Sequence, residues 1–350
     1  MNDLQPARCH VVNGNASGKC DYATAGGRLR FAAAETTKTI VLSIVDDVYQ
    51  EGDELLSMSL SSPSTGSLAS PATAVITIQD NDTNPNPSNP HLINSFFVRM
   101  QYLDFLLREP DTAGYNDWLS VLNNCNPNQG FLGAPPGCDR VHVSSGFFRS
   151  PEFGERGYWI YRFYAASLGR RPLFAEFTPQ MRRLSGLKPK ADLDADEADF
   201  IREFMLRPEF ITIYTGITDA AHASDFIARL EQKAGVTLPA SVPATQPGQP
   251  QQYNRQDLIN AMQNGTLTPA QTLRAFVEQK VVWDAYFFKA FVAMEYFGYL
   301  RRDPEDAGYD DWVDVLTNGR SSAGIAPGDF RHLVFGFLYS EEYRERFGPK

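Results

Sequence analysis

The sequence lacks the runs and motifs that mark many function classes. No stretch of its 350 residues approaches the ~20 consecutive apolar residues that span a bilayer. The opening Met-Asn-Asp-Leu-Gln shows no basic segment leading into an apolar one, so no secretory leader is visible. Histidine is scarce, with five scattered singly at positions 10, 91, 142, 222 and 332. There is no His-Glu-x-x-His, no Gly-x-Ser-x-Gly, no phosphate-binding loop and no Gly-x-Gly-x-x-Gly, so an enzyme is not expected. Positive charge is in deficit, 32 Lys and Arg against 42 Asp and Glu, for a net −10. That balance excludes nucleic acid, which needs clustered cations for its phosphates, and suits divalent cations instead.

Cysteine is also sparse, and no Cys-x-x-Cys occurs. Cys9 and Cys20 flank one short polar segment, and Cys125 and Cys138 flank another that is rich in Pro, Gly and Asn. Two local disulfides would each contribute ~2–3 kcal/mol by restricting the unfolded chain and would imply an oxidising compartment. Four separate buried thiols are the alternative.

Up to about residue 82 the chain alternates in short runs: Arg28 to Phe31, Lys38 to Val45, Leu55 to Leu60 and Ala74 to Ile78. Gly, Pro, Ser and Asp separate them, the pattern of an antiparallel β-sandwich. Acidic loops follow two of the runs, Asp46 to Glu54 and Asp80 to Asp82, and would meet at one pole. Calcium takes 6–8 oxygen ligands, which loop carboxylates can supply. A Pro/Asn linker, residues 83–92, then breaks the pattern. From residue 93 to 350 the apolar period becomes helical.

Internal repeats organise this second region. Residues Phe97 to Trp118 return without a gap as Phe291 to Trp312, both containing Leu-x-Arg-x-Pro-x-x-x-Gly. Each copy later closes on Phe-x-x-Ser-x-Glu-aromatic, Phe147 to Phe153 and Phe337 to Tyr343. A degraded copy between them keeps Tyr164, Leu168, Arg170 and Pro172 and ends at Phe210. The copies fall near 93–153, 158–212 and 286–347. Within each, proline should end the first helix, Asp111 and Glu305 should favour the start of the next, and Trp118 and Trp312 should bury a ring. Arg108 and Arg302 should pair with neighbouring acids. Pro239 to Gln252 reads as a long loop. Asp192, Asp194, Asp196 and Glu203 imitate an EF-hand loop, but Glu197 stands where that loop needs glycine, so an acidic first turn of a helix is expected.

The residues of the first region, Asp21-Tyr22, Gly27 to Phe31, Asp46-Asp47, Glu51 to Glu54 and Ile78 to Asp82, resemble the Calx-beta domain. That family is an immunoglobulin-like sandwich of exchangers, integrin subunits and bacterial surface proteins. The resemblance implies calcium ligands at Asp21, Asp46, Asp47, Glu51, Asp80 and Asp82. Asn81 replaces one acid, and the opening strands are missing before residue 10, so a truncated chain is expected. The helical repeats resemble the bacterial domain of unknown function 4214, found in secreted and surface proteins. Together these imply a calcium-binding, non-enzymatic module outside the cell, its leader lost with a missing N-terminal region. An adhesive or assembly role would follow, with cell-envelope polysaccharide, other surface proteins or itself as partner. A carbohydrate-binding module and a secreted polysaccharide hydrolase are the alternatives.

Overall fold

The computed structural model describes residues 15–23, 26–84, 87–124, 139–242 and 250–348. A β region comes first and an all-helical region follows, as expected. In the β region, β1 (Tyr22–Ala23) pairs antiparallel with β2 (Ser43–Ile44), Tyr22 opposite Ile44. The longer β3 (Glu54–Ser59) pairs antiparallel with β4 (Thr73–Ile78), in register from Glu54 opposite Ile78 to Ser59 opposite Thr73. Glu54 and Leu56 point inward while Leu55 and Ser57 are exposed, which is the period of two that the alternation predicted.

The two earlier runs depart from expectation. Arg28 to Phe31 forms no strand, and of Lys38 to Val45 only Ser43–Ile44 is paired. These segments lie against the helices instead. Arg30 reaches Asp196 at 2.8 Å and Asp199 at 2.6 Å, Arg28 pairs with Asp199 and Glu203, and Arg182 donates to the Val41 carbonyl at 2.9 Å. Alternation shows that a segment can pair, not whether another strand stands beside it. The EF-hand mimic is helical, Lys190–Met205. Its acids serve Arg28, Arg30, Arg183 and Lys188.

The helical region shows its repeat in three dimensions. In the first copy helix Asn94–Gln101 widens into a π-type turn, Tyr102–Leu106, and stops at Leu107 in the left-handed conformation. Helix Lys280–Glu295 does the same through Tyr296–Leu300 and Arg301. Helix Gly157–Leu168 stops at left-handed Gly169. The stop therefore falls three residues before Pro110 and Pro304, or before Pro172, and a left-handed residue makes it rather than the proline. For Leu107 and Arg301 that conformation costs ~1–2 kcal/mol, so tertiary contacts must hold it.

An arginine clamp supplies one such contact in every copy. Arg108 lies 4.9 Å from the centre of the Tyr102 ring and grips Glu152 through two bonds of 2.9 and 2.7 Å. Arg302 lies over Tyr296 and grips Glu342 at 2.9 and 3.0 Å. Arg170 lies over Tyr164 and holds both Glu209 and Glu176. Each clamp joins the turn after the first helix to the start of the copy's last helix. Forked, partly buried pairs of this kind are stronger than exposed ones. The expected local partners are present too: Asp111 stands 3.4 Å from Arg108 while capping the next helix through Gly114 N–H at 2.9 Å. Glu305 pairs with Arg302 at 2.6 Å and caps nothing with its side chain.

Glycines admit the bulky rings. A methyl group on Gly146 would sit 2.7 Å from the Trp118 ring, and on Gly336 3.3 Å from Trp312. Both tryptophans are half-buried. Helix Gly157–Leu168 is buried along its whole length, packed against helices Ala223–Ala234 and Lys280–Glu295. Phe148, Phe153 and Phe291, and separately Trp159, Phe163, Phe200 and Phe204, fill the core with edge-to-face and tilted ring contacts.

Where the first and third copies cross, the side chain of Asp104 is fully buried. It accepts from Arg301 at 3.1 Å, Arg346 at 3.1 Å and the Tyr343 hydroxyl at 3.0 Å. Burial, then the neighbouring Arg346, lowers Arg301 to about 10, yet it stays charged at neutral pH. The surplus positive charge is met by backbone carbonyls, Gly18 and Tyr22 for Arg301 and Lys19 and Tyr299 for Arg346. Asp104→Ala would leave two guanidiniums facing each other without their anion and should destabilise the fold by ~3–5 kcal/mol. Gly146→Ala should cost ~1–3 kcal/mol through overpacking against Trp118. Thermal unfolding should rank the two in that order, Asp104→Ala below Gly146→Ala below the parent.

Candidate metal centre

The β region folds its acids into one hollow. Asp21 arrives on a turn from Ser17, closed by Asp21 N–H donating to the Ser17 carbonyl at 2.9 Å. The Asp21 carboxylate in turn accepts from Ser17 N–H. Asp46 and Asp47 follow β2, and Asp47 turns the chain by accepting from Tyr49 N–H at 2.8 Å. Glu51 and Glu54 lead into β3, while Asp80 and Asp82 follow β4, the strand paired with it. Because β3 and β4 are antiparallel, the start of one and the end of the other lie side by side. All six predicted ligands, Asp21, Asp46, Asp47, Glu51, Asp80 and Asp82, line this hollow, together with Glu54 and Tyr49.

Asp80 organises the rim. One of its oxygens accepts from Glu51 N–H at 2.9 Å and Gly52 N–H at 2.6 Å, the other from Asp82 N–H at 2.8 Å. These bonds, that from Asp82 first, hold its carboxyl below the usual range. Asp82 is raised, by burial and then by Asp80 and Asp46. The Glu54 carboxyl is pushed up to about 8, by burial first and next by Asp21, with Glu51 and Asp47 adding to it. Tyr49 rises to about 12, through burial and then Glu345 and Asp47.

The tightest convergence is Asp21, Glu51 and Glu54, each offering an oxygen within 4.8 Å of the others. Glu54 was not among the ligands expected from sequence. The signal was its place at the inward-facing start of β3, two residues before buried Leu56. Carboxylates this close raise one another's energy unless protons or a cation come between them. An all-oxygen set of this density fits a hard divalent cation such as calcium, and lacks the nitrogen and sulfur donors that zinc favours.

Cys20 lies fully buried beside Asp21; Cys9, Cys125 and Cys138 lie outside the described residues. No helix among the described residues is long and apolar enough to cross a membrane.

The comparisons with known proteins agree with the order of the two regions. Residues 7–82 match the family model of the Calx-beta domain, and residues 86–157 match that of a domain of unknown function, DUF4214. Over residues 7–157 the order is thus a Calx-beta match followed by a DUF4214 match. No curated protein and no solved structure matches the chain.

The raised Glu54 carboxyl makes metal-free stability pH-dependent. Its folded value of about 8 lies above the ordinary 4.5, so the folded state holds a proton that the unfolded state has lost between those values. Stability from this group is full below pH ~4.5 and falls as pH rises towards 8. Glu54→Gln should therefore match the parent near pH 4.5 and exceed it in melting temperature at pH 8 without metal. Equal melting curves at pH 8 would refute the assignment.

Proposed function

We propose that this chain is a non-enzymatic module of the cell exterior, with calcium held in the β region and an adhesive or assembly role for the whole. The observation that carries the calcium part is the hollow where Asp21, Glu51 and Glu54 converge within 4.8 Å, ringed by Asp46, Asp47, Asp80 and Asp82. The Calx-beta match supports the same reading. An exterior location draws on reading Cys9 with Cys20 and Cys125 with Cys138 as local disulfides, since such bonds persist in oxidising compartments. The adhesive role rests on the company of a calcium-type β region and a repeat domain.

The alternatives have less support. For a hydrolase, none of the sequence motifs of the common hydrolytic centres is present. A sugar platform needs open aromatic faces, while Trp118 and Trp312 press on Gly146 and Gly336 and Trp159 is buried.

Calorimetric titration of the full chain with calcium chloride tests the reading. Saturable heat is expected for the parent and none for the Asp46→Asn, Asp47→Asn double variant. Calcium should also raise the parent's melting temperature by mass action. A parent that takes up no calcium would remove the reading.

A further inference from the structure

The acids of the hollow come from two mechanically different halves. Glu51, Glu54, Asp80 and Asp82 belong to the β3–β4 hairpin, which is tied to itself by six strand pairs and the Asp80 bonds. Asp21 belongs to the Ser17–Asp21 turn, which is gripped from the helical region. Arg301 donates to the Gly18 carbonyl at 2.6 Å and the Tyr22 carbonyl at 2.9 Å, on either side of Asp21. Arg346 donates to the Lys19 carbonyl at 3.0 Å, and the Lys19 ammonium stands 3.3 Å from Glu342.

The Asp46–Asp47 segment is held in the same way. Arg99 donates to the Ile44 carbonyl at 2.8 Å, and Val48 N–H donates to the Phe347 carbonyl at 3.1 Å. Arg301 and Arg346 are in turn immobilised on Asp104 at the crossing of the first and third helical copies. One half of the hollow is therefore braced by the helical core, and the hairpin meets it through the chain just before the Asp21 turn, where Ala16 N–H donates to the Leu55 carbonyl at 3.0 Å.

We infer that a divalent cation in this hollow locks the hairpin to the helical region, and that Arg301 and Arg346 are positioning residues that set Asp21 for it. This rests on the calcium reading above. A cation bridging Asp21 to Glu51 and Glu54 would add a side-chain tie between the two halves to the backbone contact at Leu55. Whatever free energy the helices spend in holding the Asp21 turn must then appear in the cation affinity, and by reciprocity the cation must tighten the helices' grip. The metal reports on inter-region docking, and docking tunes the metal.

Hydrogen exchange of the full chain, read by mass spectrometry with and without calcium chloride, tests the coupling. Exchange should slow at the hollow and also at residues 296–302 and 341–348, which carry Arg301, Arg346 and Phe347. Slowing confined to residues 15–82, with calorimetric heat intact, would overturn the coupling and leave calcium binding standing. Absence of both heat and slowing would overturn the calcium reading, and the coupling with it. In variants, Arg346→Gln should weaken calcium affinity about tenfold, while Arg170→Gln, which breaks the clamp of the second copy, should leave it unchanged. Equal affinities in the two variants would also overturn the coupling. If Arg346→Gln does not fold, the exchange experiment on the parent chain decides.

Discussion

A carboxylate with no access to water holds this molecule together. Asp104 sits on the π-type turn of the first helical copy and receives Arg301 from the third copy, Arg346 from the C-terminal segment and the Tyr343 hydroxyl. Burying three charges is costly, and it is tolerable only because every cation also finds carbonyl oxygens. Three of those carbonyls, at Gly18, Lys19 and Tyr22, belong to the β region. The charge balance of the helical core is therefore completed by the other region, and the turn bearing Asp21 inherits the rigidity of that core.

The same site shows how a repeat becomes a single structure. By the repeat alignment Asp104 corresponds to Gly298, and Arg301 to Leu107. Had both copies carried the first copy's residues, Asp104 would face a leucine in place of Arg301, and had both carried the third's, Arg301 would face a glycine in place of Asp104. Gly298 instead leaves room for Phe105, whose ring would lie only 3.1 Å from a methyl group there. The clamp of arginine over tyrosine is what all three copies retain, and it fixes the internal geometry of each. The positions that differ determine how the copies join.

The acidic hollow reverses this economy. At the crossing of the copies charges of opposite sign meet, whereas around Glu54 like charges are gathered and one carboxyl is forced towards its neutral form. A cluster of this kind gains nothing for the metal-free fold. Under the proposed reading a cation would replace protons there, with Asp80 bonded to the backbone to keep the rim in shape.

How much of this was legible follows from what kind of information each feature needs. The change of period at the linker, the returning Leu-x-Arg-x-Pro-x-x-x-Gly and the two acidic loops are local patterns, and the composition and spacing of the chain were enough to place six acids at one pole. Glu54 was passed over because inward orientation at the first residue of a strand depends on register with β4. Arg28 to Phe31 was read as a strand because alternation says nothing about whether a partner strand is present. Glu152, Glu209 and Glu342 escaped as clamp partners because they lie 39 to 44 residues from their arginines, where only packing brings them near. Sequence by itself determined the order of regions, the repeat and the acidic character of the hollow, since these reside in periodicity and charge. Tertiary structure alone decided that Asp104 is the meeting point of the copies and that helices hold the turn of Asp21, because burial and long-range contact exist only once the chain has folded.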